Sequence, residues 1–304
     1  MSPDAKSSVT PVRRWLPTLA LWVGIAAAVA TLIVYRAELH EASAAVSALQ
    51  WVLALALLLA RWLLLVASWH WLLRGFAPGA GGWRASLRQT GYLLAGKYVP
   101  GKVFGILARG VDSAAAGHVR QAWTASVLDQ ILTFAAAVLV GLVLWASAAS
   151  GQARWLLALP LVIPVLVLSI PLALGAARRL AGLMPRATRW LTPAVAAPGA
   201  RRNLLAAAGC QVAQTLLVAL LIMVLAPHDR IGLAGAYLVS LAGGMALLVL
   251  PGGIGAREGL FVSIAAGTLG TTAAVLLAAL LRLLLTLGDL IAGLVAMWPR
   301  IVRD

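Results

Sequence analysis

The chain has 304 residues, 62% of them hydrophobic and 11% charged, with a mean hydropathy of +0.96. A water-soluble domain carries roughly 25% charged residues, and a transmembrane barrel shows alternating segments of about 10 residues, so both classes are excluded in favour of an all-α polytopic integral membrane protein. The formal charge of +15 does not point to nucleic acid, because the basic residues cluster between long apolar runs, as on cytoplasmic loops facing anionic lipid.

Residues 1–14 are polar and contain Lys6, Arg13 and Arg14, which predicts a cytoplasmic N-terminal segment. Trp15 to Tyr35 is free of charge and long enough to cross about 30 Å of hydrocarbon, longer than the apolar core of a signal peptide. A second span is predicted from Gln50 to Leu73, with Arg61 and His70 inside it. His70 sits on a Trp-rich stretch near the membrane edge and reads as a satisfied interfacial histidine. The segment from Ser86 to Val111 is apolar but interrupted by Lys97, Pro100, Gly101, Lys102 and Arg109, which predicts a broken or re-entrant element. Ala122 to Ser147 is a span carrying Asp129. Trp155 to Gly175 crosses back with Pro160, Pro164 and Pro171 as kinks.

The loop from Ala176 to Arg202 carries six arginines and no acid; Asn203 to Ala226 is the next span and holds the only cysteine, Cys210. Ile231 to Leu250 leads into a second break, about residues 248–261, where Pro251, Gly252, Gly253 and Gly255 precede Arg257 and Glu258. Leu260 to Leu269 reaches spanning length only with the Gly-rich segment before it. Thr272 to Trp298 is the last span, containing Arg282 and Asp289, and residues 299–304 form a basic tail. This gives one transmembrane domain, 15–298, of about eight helices plus one re-entrant segment. With the termini inside, the outer loops hold only Arg36, Arg154 and Arg230, so both termini are placed in the cytoplasm and the protein in the cell inner membrane.

The two breaks share a grammar: Pro100-Gly101, Gly105 and Arg109-Gly110 in one half, Pro251-Gly252, Gly255 and Arg257-Glu258-Gly259 in the other. Transporters place such interrupted helices in corresponding positions of an inverted repeat, with substrate between them. Unpaired backbone and charge at membrane depth survive only packed in protein or facing a polar cavity.

Lys97-Tyr-Val-Pro-Gly-Lys, Ile106-Leu-Ala-Arg109 and Pro251-Gly-Gly-Ile-Gly-Ala-Arg-Glu258 together resemble the lysylphosphatidylglycerol synthase transmembrane family, a flippase-like membrane domain. The resemblance covers essentially the whole chain. It implies lipid translocation or a supporting role in lipid-linked envelope chemistry. The soluble aminoacyl-transferase domain of the full-length synthases is not expected here, so lipid aminoacylation is not carried over.

The residue chemistry gives the candidate substrate site: Arg257, Glu258, Arg109, Lys102 and Lys97 for an anionic lipid head group, on backbone shaped by Pro100, Gly101, Pro251, Gly252 and Gly253. A guanidinium grips phosphate bidentately, as a head-group site requires. Arg257 and Glu258 are neighbours on a helix and point about 100° apart, so each is expected to find its partner elsewhere. Arg282 and Asp289 are too far apart along one helix face to touch, so each should pair across helices, with Asp129 a candidate partner for Arg282 or Arg109.

No phosphate loop, His-Glu-x-x-His or cysteine pair is present, so no catalytic residue, metal or cofactor is predicted. The expected function is a lipid flippase-like transporter. The alternatives are a non-transporting subunit that presents a lipid-linked intermediate to a glycosyl- or aminoacyltransferase partner, and a membrane-embedded transferase.

Overall fold

The computed structural model describes residues 46–77, 79, 81–96, 104–114, 117–159, 161–163, 165, 200–246 and 255–301, with residues 26, 33, 36 and 40. Its elements in order are α1 (Ala48–Phe76), α2 (Trp83–Gly96), α3 (Phe104–Ala114), α4 (Val119–Ser150), a 3-10 helix (Ala153–Ala158), α5 (Ala200–Leu225), α6 (Arg230–Ala246), α7 (Ala256–Leu269) and α8 (Thr271–Ile301). Four of these, α1, α4, α5 and α8, are long and apolar enough to cross a membrane. Their outward faces carry apolar side chains such as Leu55, Leu59, Val127, Leu142, Leu220 and Ile291, as lipid-facing surfaces do.

Local chemistry sets the ends. Ser47 and Gln50 form a reciprocal cap at the start of α1, in which the Ser47 hydroxyl accepts from Gln50 N and the Gln50 side chain accepts from Ser47 N. Gly151, at φ 62°, closes α4 in the left-handed region. Gly270, at φ 80°, separates α7 from α8.

Contacts between helices fix their directions. Gln50 Nε2 at the start of α1 donates to Val224 O near the end of α5 at 2.7 Å, while Gln211 Nε2 near the start of α5 reaches Ser68 Oγ near the end of α1 at 3.0 Å. The two helices, the most closely packed pair in the bundle, are therefore antiparallel. The start of α4 lies beside the end of α1, because Asp129 meets Gln211. The hairpin α2–α3 thus enters from the side on which α1 ends. At the opposite side, His228 Nε2 meets Thr268 O at 3.2 Å, which joins the start of α6 to the end of α7. The pair α6–α7 therefore enters from the side on which α1 begins.

At about 1.5 Å per residue, the described parts of α2, α3, α6 and α7 extend roughly 21, 17, 25 and 21 Å. Ile231–Leu250 and the following segment were expected as two spans; their described parts are α6 and α7, which pack against each other. Residues 97–103 and 247–254, which join α2 to α3 and α6 to α7, lie outside the described residues, and with them Lys97, Pro100, Gly101, Lys102, Pro251, Gly252 and Gly253. The spans expected at 15–35 and 155–175 also fall largely outside them.

Small residues let the helices close up. Gly91 of α2 meets Gly293 and Ala296 of α8. At the α4–α6 crossing, a Cβ on Gly235 would stand 2.6 Å from Trp145 N and 3.0 Å from Gly141 O, both backbone atoms that cannot swing aside. Gly235→Ala is therefore expected to lower the thermal midpoint of the detergent-solubilised protein, at a cost of about 1–3 kcal/mol. Gly209→Ala, where a Cβ meets nothing within 4 Å, should leave it unchanged. Equal behaviour of the two variants would refute this crossing.

Candidate functional site

The helix ends that flank both breaks border one cavity of about 530 Å³. Leu93 and Leu94 of α2 and Ile106 of α3 reach it from one helix pair; Leu241, Gly244 and Met245 of α6 and Arg257 of α7 reach it from the other. The long helices supply the rest of the wall, much of it apolar, including Ile131, Phe134, Val218 and Leu285. Polar groups are few: Arg61, Arg257, Arg282, Asp129, Asp289, Gln130, Gln214 and the hydroxyls of Thr133, Thr215 and Thr286. Measured along their helices from the side on which α1 begins, Arg282 lies roughly 16 Å deep, Arg257 roughly 18 Å and Arg61 roughly 20 Å. Three arginines from three helices therefore meet well inside the bundle, where an ionised group is costly unless paired or facing water.

Each arginine has an acid. Arg61 Nη1 donates to Asp289 Oδ1 at 3.0 Å. Arg282 Nη1 donates to Glu258 Oε1 at 2.6 Å, and the same oxygen accepts from Arg257 Nε at 3.1 Å and Nη2 at 2.9 Å. The other carboxylate oxygen, Oε2, accepts from Gly255 N at 2.9 Å, so the Glu258 side chain folds back over the first turn of α7. This corrects the expectation that Arg257 and Glu258 do not pair. The bond to Gly255 turns Oε1 inward, and the long Arg257 side chain wraps along the helix end to reach it. Arg257 lies in the bundle interior, its side chain 11% exposed. Gly244 permits this, since the Arg257 Cβ would lie 2.9 Å from any Cβ placed there.

Arg282 and Asp289 pair across helices, with Glu258 and Arg61 respectively, and not with each other. Asp129 meets Arg109, not Arg282: Arg109 Nη1 donates to Asp129 Oδ2 at 2.8 Å. Arg109 was expected to face substrate, but it is 1% exposed and lies behind the cavity wall. Its guanidinium stacks 3.8 Å over the Trp69 ring, and its Nε donates to Gln89 O at 3.1 Å. Asp129 itself lines the cavity and accepts Gln211 Nε2 on its second oxygen at 2.7 Å.

The Arg109 pair belongs to a longer polar network at the base of α2 and α3. Gln89 accepts from Trp69 Nε1 and donates to Asp112 and Ser113, while Asp112 takes Arg88 through both oxygens at 3.1 and 2.7 Å. Such a chain anchors the hairpin to α1, α4 and α5. His70 is buried, its ring stacked on Trp83 with 3.9 Å between centroids and its Nδ1 3.1 Å from Ser86 Oγ.

Several site residues carried no role in the sequence reading. Arg61 was placed in a span without a partner, and Gln211, Gln214 and Thr215 were read as part of an apolar run. A signal existed for the last three, because positions three and four apart share a helix face and form a polar stripe in α5. Among the described residues no group of three or more His, Cys, Asp or Glu side chains is placed to hold a metal. No protein-family model, no curated protein and no solved structure matches the chain.

Proposed function

We propose that the protein is a flippase-like lipid transporter. The observation that carries this reading is the cavity between the two helix pairs, which joins a compact arginine–carboxylate cluster to a long apolar wall. An amphiphile needs both parts: charge for its head group and apolar surface for its chains. Taken as re-entrant hairpins entering from opposite sides, the pairs give the arrangement in which rocking of one against the other exposes a fixed mid-membrane site to each side in turn. The membrane is the inner membrane with both termini cytoplasmic, on the distribution of basic loops. Six spans with two re-entrant hairpins retain the same-side termini that eight spans with one would give. The same reading fits the transmembrane family whose motifs the chain resembles.

The test is movement of labelled phosphatidylglycerol and phosphatidylcholine in liposomes holding the purified protein. The wild type is expected to move the anionic lipid, and Arg257→Ala and Glu258→Ala to lose most of that movement. If a broad lipid panel stays put with and without a proton gradient, transport is wrong. Lipid that co-purifies with the protein and is lost in Arg257→Ala would then identify a subunit that holds a lipid-linked intermediate for a transferase.

A further inference from the structure

Two buried donors beside this cluster have no hydrogen-bond partner among the described residues: the Tyr237 hydroxyl and Arg61 Nε. Tyr237 is 2% exposed. Its ring is fixed by the edge of Phe261, 5.5 Å between centroids, and by the Arg257 guanidinium carbon at 5.6 Å from its centre. Its phenol lies within electrostatic reach of Arg257, Glu258, Arg282 and Arg61. On α6 it shares a face with Leu241 and Gly244, which line the cavity. A buried phenol ordinarily finds an acceptor, and one left without it costs free energy that nothing among the described residues returns. The charges are also unequal. Arg61, Arg109, Arg257 and Arg282 face Asp129, Glu258 and Asp289, which leaves one positive charge among the described residues of this interior.

We propose that Tyr237 and Arg61 Nε are head-group ligands, each donating to one non-bridging oxygen of a lipid phosphodiester whose single negative charge balances the cluster. The assignment rests on the lipid reading above and names its substrate class. A phosphomonoester brings close to two charges at neutral pH and overshoots the balance. A carboxylate matches the charge but ends its molecule at that point. A phosphodiester continues on both sides, and the cavity of about 530 Å³ beside the cluster has apolar lining from both helix pairs, such as Leu93 and Leu241.

The test measures binding of dihexanoylphosphatidylglycerol, dihexanoylphosphatidic acid and hexanoate to the full-length protein in detergent by titration calorimetry, beside Tyr237→Phe and Arg61→Lys. The second variant keeps the charge facing Asp289 and removes the second donor. Each variant is expected to weaken phosphatidylglycerol binding about tenfold or more, one charge-assisted hydrogen bond being lost. Tyr237→Phe should do so without lowering the lipid-free thermal midpoint. Wild-type protein should bind phosphatidic acid and hexanoate more weakly than phosphatidylglycerol. Unchanged affinity in Tyr237→Phe, a lowered midpoint, or equal binding of the three probes would overturn the assignment. Vesicle movement separates the two levels. Wild-type transport insensitive to Tyr237→Phe removes the ligand role and leaves the transporter; Tyr237-dependent binding without any lipid movement does the reverse.

Discussion

Arg109→Met is expected to destabilise the folded protein by about 3–5 kcal/mol, the largest stability effect of any single change in the site. Asp129 is 4% exposed, and among the described residues its carboxylate would keep only Gln211 as a partner. A buried charge without its counter-ion bears a desolvation penalty that one amide hydrogen bond does not offset. The variant also gives up the stacking of the guanidinium on Trp69 and the bond to Gln89 O. The double variant Arg109→Met/Asp129→Asn removes both charges, and the amide oxygen it introduces can still accept from Gln211. It should recover most of the loss, because replacing a buried ion pair with neutral groups of similar volume is often close to neutral. Unfolding in detergent, followed by denaturant titration, reads both changes. A double variant no better than the single would locate the loss in packing on Trp69 and not in charge. The pair also leaves the balance of the cavity untouched, since one positive and one negative charge go together, so anionic-lipid binding should survive in the double variant.

How far the sequence carries depends on which interaction is asked about. Long apolar runs announce their helices: the span expected at Gln50–Leu73 is α1, that at Ala122–Ser147 is α4, and that at Thr272–Trp298 is α8, each within a few residues. Helix length alone also settles that Arg282 and Asp289 do not meet, because seven positions separate their Cα atoms by roughly 10 Å along the axis. Which acid each arginine takes is a tertiary matter. Arg61 reaches Asp289 across 228 positions, and no periodicity in either helix names the other. The pairing of Arg257 with Glu258 eluded the helical-wheel argument for a different reason. That argument holds for a helix interior, whereas these residues occupy the first turn of α7, where a free backbone N–H competes for the carboxylate and reorients it. Tyr237 gave no signal at all. A tyrosine in an apolar helix reads as packing until its unpartnered hydroxyl is seen beside four charges.

Glu258→Gln should have the largest effect on transport, and its sign on binding is opposite to its sign on turnover. Glu258 is shared by two arginines, and it also caps α7. Glutamine has a single acceptor oxygen, so it can serve either the Gly255 N–H or the arginines but not both, at a stability cost of about 1–3 kcal/mol. The interior would then carry one further uncompensated positive charge. An anionic head group should bind more tightly to it and leave more slowly, and a site that holds its ligand too well moves it poorly. Lipid movement in liposomes is expected to fall at least tenfold while affinity for phosphatidylglycerol rises, each tenfold in affinity corresponding to about 1.4 kcal/mol. Adding Arg282→Gln returns the charge to its original balance and should restore part of the movement. If the double variant is as inactive as the single, geometry at the α7 cap and not charge governs release. If Glu258→Gln lowers affinity and movement together, the carboxylate positions Arg257 for the head group, and the charge-balance account of turnover is wrong.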